Sequence, residues 1–195
     1  EAYGRFLVAV FDEWVSRDVG EVYVQSFDSA LAHWLGMPDA GVCVHAETCG
    51  RSLALEHNGD VYSCDHFVEP RHRIGNLADD RTLLQIVDSP QQQAFGAAKA
   101  DLPGQCRRCE MKFACYGGCP KDRFLTTTDG EPGLNYLCSG YLDFFRHVDE
   151  PMRAMSSLLR SGRDAAEVMN RTPGAPTPHH PDADPVAGHA GGELP

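Results

Sequence analysis

The sequence predicts an α+β fold in which short helices and a small β-hairpin surround a cysteine-rich loop. Three observations carry this. Apolar stripes at helical spacing stand near both ends of the chain, and an Asn-Gly pair separates two short alternating runs in between. Residues 103–119 are rich in Gly, Cys and charge and show no regular period.

Phe6, Leu7, Val10, Phe11, Trp14 and Val15 recur at helical spacing, so residues 4–17 read as an amphipathic helix. Val22 to Val24 read as a short strand. Phe27, Ala30, Leu31, Trp34 and Leu35 form a second helical stripe, with Asp28 near its start and Gly36 as C-cap. Both stripes are read as core packing. Leu53 and Leu55 alternate before Asn58-Gly59, and Val61, Tyr62 and Ser63 follow it. This predicts a hairpin closed by a type I′ turn, which needs positive φ at both central residues. Cys49 and Cys64 flank the hairpin and are brought close by its open ends.

Short helices are expected over 80–88 and 91–99 around the Ser89-Pro90 break, and another after Pro120. A longer helix is expected over about 137–159, bent at Pro151 and ended by Gly162. Beyond it the composition turns to Pro, Gly, Ala, His and Asp without periodicity, so 163–195 is expected to be a disordered tail. His179, His180 and His189 lie in that tail and are read as solvated rather than metal-binding.

A chain of 195 residues holds one domain plus appendages. Its net charge of −11 argues against nucleic acid or an anionic membrane as partner, since both need basic patches. No apolar run approaches the roughly 20 residues that span a bilayer. The first residues lack the basic start and small-residue cleavage site of a signal peptide. A cytoplasmic location is therefore expected, where thiols stay reduced. The chain opens on Glu1 directly into an amphipathic pattern, and is expected to be part of something longer.

The eight cysteines are the main signal. Cys106, Cys109, Cys115 and Cys119 read C-x2-C-x5-C-x3-C, Cys43 and Cys49 read C-x5-C, and Cys64 and Cys138 stand apart. Eight is the number that two [4Fe–4S] clusters require with full Cys₄ ligation. Gly59 before Cys64, and Gly117-Gly118 between Cys115 and Cys119, let backbone approach a bulky cofactor and aim N–H groups at sulfur. Two structural zinc sites are the alternative, weakened because only one C-x2-C pair exists. A disulfide framework is weaker still, because nothing in the sequence routes the chain to an oxidising compartment.

The pattern G-x4-C, then C-x2-C-x5-C-x3-C, then a lone cysteine resembles the SPASM domain of radical S-adenosylmethionine enzymes. The stretches Glu47-Thr48-Cys49-Gly50, His57 to Val68, Ile74-Gly75-Asn76-Leu77, Gly117 to Lys121 and Leu134 to Tyr141 are similar to those of the anaerobic sulfatase-maturating enzymes. The resemblance runs from about Phe11 to Gly162. It implies a partner and a chemistry: a sulfatase polypeptide whose Cys or Ser is oxidised to Cα-formylglycine by a 5′-deoxyadenosyl radical. It implies a first auxiliary cluster on Cys43, Cys49, Cys64 and Cys119, and a second on Cys106, Cys109, Cys115 and Cys138. It implies Asp65 as the carboxylate that takes the substrate's proton. Deprotonating a substrate radical makes it a strong reductant, and a neighbouring cluster can receive the electron. Without the resemblance, Asp65 reads as a residue capping the turn after the hairpin. Asp60, His45 and His66 are read as structural or solvated. Tyr116, Asn135 and Tyr136 flank ligand cysteines and are expected to shield a cluster from water.

The sequence departs from that family in one respect. C-x3-C-x2-C, the motif that holds the S-adenosylmethionine cluster, is absent, and Asp122 stands where its third cysteine would follow Cys115 and Cys119. Residues 1–36 are thus expected to be the last elements of a partial (β/α) barrel, and 37–162 the SPASM domain. S-adenosylmethionine and a third cluster are expected only in a part preceding this chain, which alone should be inactive and monomeric. Two other readings remain: a SPASM segment acting on another peptide, and a stand-alone electron-transfer or peptide-binding module.

Overall fold

The computed structural model describes residues 1–37 and 41–171. A helical layer is built from α1 (Ala2–Arg17), α2 (Gln25–Trp34) and α7 (Cys138–Arg160), closed by a 3-10 helix over Ala165–Arg171. Phe11, Trp14, Phe27, Phe144, Phe145, Val148, Met152 and Met155 form its core. Phe11 meets the ring of Phe27 edge-on at 5.2 Å, and Phe27 stacks on Phe144 at 6.0 Å. Each such ring contributes about 1.5–3 kcal/mol by leaving water. No helix among the described residues is long and apolar enough to cross a membrane.

The second part is a small antiparallel sheet, β1 (Ala54–Leu55), β2 (Asp60–Tyr62) and β3 (Arg73–Asn76), in that spatial order. Val61, Ile74 and Ile86 are its buried core. Two short helices, α3 (Leu83–Val87) and α4 (Pro90–Ala97), follow. α3 is opened by a capping box in which the Thr82 hydroxyl accepts from the Gln85 N–H while Gln85 reaches back to the Thr82 N–H. Ser89 caps α4 with Pro90 at its first position, so this proline starts a helix as well as ending one. Two further short helices, α5 (Gly104–Arg107) and α6 (Lys112–Cys115), lead to a second hairpin of β4 (Leu125–Thr126) and β5 (Pro132–Leu134).

The amphipathic helices, the central hairpin and the long helix stand where expected, although Phe6 and Val10 of the first stripe are exposed and only Leu7, Phe11, Trp14 and Val15 join the core. Several details differ. Val22–Val24 is not a strand, because the Val22 carbonyl accepts from the Trp14 indole at 2.8 Å and the Val24 carbonyl accepts from the N–H groups of Phe27 and Asp28 in α2. The hairpin turn is not type I′, since of Asn58 and Gly59 only Gly59 has positive φ, at 85°. The Gly59 N–H instead donates to the Glu56 carbonyl and the Glu56 N–H to the Asp60 carbonyl, a three-residue loop with glycine at its left-handed position. The loop over 103–119 contains α5 and α6. Only a 3-10 turn, Pro120–Asp122, follows Pro120. α7 continues unbroken through Pro151. Order extends past 163, where Val168 of the closing 3-10 helix is buried against α1 and α7. The remainder of the expected tail, with His179, His180 and His189, lies outside the described residues.

Candidate metal centres

The eight thiols fall into two neighbourhoods that interleave along the chain. Cys106 in α5, Cys109 after it, Cys115 at the end of α6 and Cys138 at the start of α7 line one cavity of about 430 Å³. Met111, Leu142 and Phe145 supply its apolar wall. Burial pushes the Cys115 thiol up to about 12, against the Gly117 N–H aimed at its sulfur, and the thiols of Cys138, Cys106 and Cys109 raise it further. Cys106 and Cys138 are also pushed up, first by burial.

The other neighbourhood collects Cys43, Cys49, Cys64 and Cys119. Burial raises the Cys49 thiol, and Cys43 and Cys119 add to it. Cys64 is pushed up to about 11, first by burial, and Cys119 is among the groups that raise it. Cys64 and Cys119 each stand before a 3-10 turn whose N–H groups point back, from His66 to Cys64 and from Lys121 to Cys119. His66 Nδ1 lies 3.3 Å from Cys119 Sγ. α4 fastens this set from behind. The Cys49 N–H donates to the Gly96 carbonyl at 3.2 Å, and buried Gln92 donates to the carbonyls of Gly50 and Ser63 at 2.6 and 3.0 Å. Gln92 thereby ties the segment after Cys49 to the one before Cys64.

Cys115 and Cys119 belong to different neighbourhoods although only three residues separate them. Those residues, Tyr116, Gly117 and Gly118, are all left-handed, with φ of 43°, 71° and 63°. Tyr116 has the only positive φ of a non-glycine residue among the described residues, a conformation costing about 1–2 kcal/mol. The Arg123 guanidinium offsets that cost by donating to the carbonyls of Tyr116, Gly117 and Gly118 at 2.8–3.1 Å. Buried Asn135 adds bonds to the carbonyls of Gly117 and Cys119 at 3.1 and 3.2 Å.

The donor set fits iron–sulfur ligation on its own chemistry. Thiols held this far above their ordinary range are neutral at pH 7. Backbone N–H groups aimed at their sulfurs favour the thiolate, which is the form a cluster binds. Each set offers four sulfurs, as a Cys₄-ligated cluster requires.

Asp65 is exposed and accepts from the Cys64 thiol at 3.2 Å; that hydrogen bond is the main reason its carboxyl lies below the usual range. A ligated thiolate has no proton to give, so this bond belongs to the free thiol and its loss frees Asp65 Oδ1. Asp60 has a structural part at the start of β2, accepting from Asn58, Asn76 and Arg73. His45 packs edge-on to Tyr141 and Phe145 and is pushed down to about 4, first by burial. Asn135 is buried as a structural bridge, whereas Tyr136 is 61% exposed and stacked on Phe124. The sequence reading missed Gln92, Lys99 and Arg123. Lys99 stands in an Ala-rich stretch that suggests a surface residue, yet it is 1% exposed and donates to the Ala46 carbonyl.

Residues 43–110 match SPASM, an iron–sulfur cluster-binding domain, a span that holds Cys43, Cys49, Cys64, Cys106 and Cys109. The chain is 49% identical over 170 residues to a serine-type anaerobic sulfatase-maturating enzyme of Bacteroides thetaiotaomicron, covering 87% of this chain and 41% of that protein. It is 29% identical to a cysteine-type enzyme of Clostridium perfringens, over 75% of this chain and 39% of that one. A solved structure named anSMEcpe with bound AdoMet superposes with a TM-score of 0.69 at 26% identity, over 86% of this chain and 43% of that one. The chain thus spans about two fifths of the length of the relatives it matches. The resemblance read from the sequence holds in both sequence and fold.

Proposed function

We propose that this chain is the auxiliary-cluster segment of an anaerobic sulfatase maturase, with Cys43, Cys49, Cys64 and Cys119 holding one [4Fe–4S] cluster and Cys106, Cys109, Cys115 and Cys138 holding a second. One observation carries the reading: four cysteines drawn from α5, the following loop, α6 and α7 converge on a single cavity, while Cys119, beside them in sequence, turns away to the other set. Bound clusters supply one-electron storage. The protein's own part is to hold eight thiolates, to direct the N–H groups of His66, Gly117 and Lys121 at three of them, and to keep Asp65 at the open side of the first set. There Asp65 takes the proton from the substrate residue.

The substrate is a peptide of a sulfatase, as the names of the relatives suggest, and one solved relative carries a bound peptide named Kp18Cys. The higher identity to serine-type enzymes, 49% against 29%, favours a seryl target. The S-adenosylmethionine site and its cluster are assigned to the rest of a barrel whose last elements are residues 1–36, so these 195 residues alone do not cleave that cofactor. A cytoplasmic monomer suits the reading, because reduced thiols are needed. Anaerobic reconstitution of the chain should give about eight iron and eight acid-labile sulfide per chain, from two Cys₄ clusters. Stoichiometric zinc without sulfide would overturn it. Joined to its barrel, the protein should convert a sulfatase-derived seryl peptide to the formylglycine product.

A further inference from the structure

We propose that Arg123 and Lys99 form a cationic bridge between the two cysteine sets, acting as positioning residues that set the reduction potentials of both clusters together. The inference rests on the two-cluster reading.

The geometry has three parts. The Arg123 guanidinium donates to the carbonyls of Lys99 at 2.7 Å, Tyr116 at 2.8 Å, and Gly117 and Gly118 at 3.1 Å. It therefore sits on the turn that separates Cys115 of one set from Cys119 of the other. It interacts electrostatically with Cys106 and Cys115 on one side and with Cys119 and Cys49 on the other. Lys99, joined to it through that backbone carbonyl, interacts with Cys43 and Cys49 of the first set and with Cys115 of the second. Each cation thus reaches both sets.

Charge balance supplies the reason. Among the described residues neither Arg123 nor Lys99 forms an ion pair, and their hydrogen-bond acceptors are neutral carbonyls. Two neighbouring cations repel, and burying an unpaired charge costs several kcal/mol. The thiols they face, Cys43, Cys49, Cys106, Cys115 and Cys119, supply compensating negative charge once they ligate as thiolates. A cluster with four thiolates is anionic and becomes more so on reduction. Fixed positive charge beside it favours the reduced form, and charge shared between two clusters moves both potentials in the same direction.

A purely structural role for Arg123 is separable from this one. Lys99→Met removes a charge without touching the bonds on residues 116–118. Arg123→Lys keeps the charge but not the fork of donors, and Arg123→Gln removes the charge. Each variant of the reconstituted chain is titrated with dithionite under potentiometric control, and both clusters are followed by EPR. Lys99→Met and Arg123→Gln should lower both midpoints, so that the reduced-to-oxidised ratio at a fixed potential falls about tenfold, ~59 mV for a one-electron couple. Arg123→Lys should stay near wild type. Unchanged midpoints in Lys99→Met with full iron and sulfide would overturn the bridge and leave the two-cluster reading standing. A shift in one cluster alone would also overturn it. If Arg123→Gln loses its clusters, Lys99→Met decides the matter alone. A wild-type chain that cannot be loaded with two clusters would overturn the reading and the bridge together.

Discussion

Gly96 lies directly against the backbone of Cys49. Its carbonyl accepts the Cys49 N–H at 3.2 Å, and a Cβ added to Gly96 would fall 2.4 Å from the Cys49 carbonyl oxygen. Real contacts of that length do not occur, and the obstructing atom is backbone, so it cannot swing aside. One helix, α4, therefore sets the position of a proposed ligand nearly fifty residues earlier in the chain.

Gly96→Ala should push the Cys49 segment away from α4. Overpacking of this kind costs about 1–3 kcal/mol, and here it falls on the first cysteine set. Reconstituted variant should hold about four iron instead of about eight, with the second cluster retained. Full iron content and an unchanged melting temperature would show that the segment relaxes freely.

Cys115→Ala and Cys119→Ala, four positions apart, should remove different clusters. Each should leave about four iron, with distinct EPR signals for the survivors. The same surviving signal in both variants would place the two cysteines in one set and break the interleaved assignment.

Asp65→Asn separates a base from a turn residue. Asn serves turns almost as well as Asp, so a capping role would leave activity nearly intact. As the base, Asp65 contributes about a hundredfold or more to formylglycine formation, measured with a sulfatase-derived peptide in a protein that includes the barrel. Iron content should stay normal, because Asp65 is not a ligand. Near-normal turnover would remove it from the mechanism.

Asp60 gives the sheet an acid limit. Its carboxyl is held below the usual range first by the Asn76 amide and then by Arg73, bonds that link β2 to β3. A carboxyl with a depressed folded pKa stabilises the fold above its unfolded value, and that contribution disappears as pH falls through the folded one. Hydrogen-exchange protection of β2 and β3 in the cluster-free chain should hold from pH 7 to about 5 and fall below about 4. Asp60→Asn should flatten that dependence. Equal acid sensitivity in the variant would assign it to other carboxylates.

Local elements were legible in the sequence because their causes are local. The stripe from Phe6 to Val15 makes a helix wherever a core is available, and Asn58-Gly59 marks a reversal between two short runs. The turn type escaped because Glu56 and Asp60, outside the pair, decide it. The 3-10 helix over 165–171 escaped because its order comes from Val168 packing on α1 and α7 rather than from any period of its own.

The cysteine number, the absence of C-x3-C-x2-C and the stretches shared with the sulfatase maturases were determined by the sequence alone. The grouping of the thiols was implied by that resemblance, and only the tertiary structure shows what holds the two groups apart. Spacing puts Cys115 and Cys119 together, yet three left-handed residues reverse the chain between them. That conformation is unfavourable by itself and persists because Arg123 and Asn135 fasten its carbonyls, while Gln92 and Gly96 gather Cys49 and Cys64 from the other side. Gln92 lies 42 residues from Gly50 and Gly96 farther still from Cys49, so no local pattern announces them.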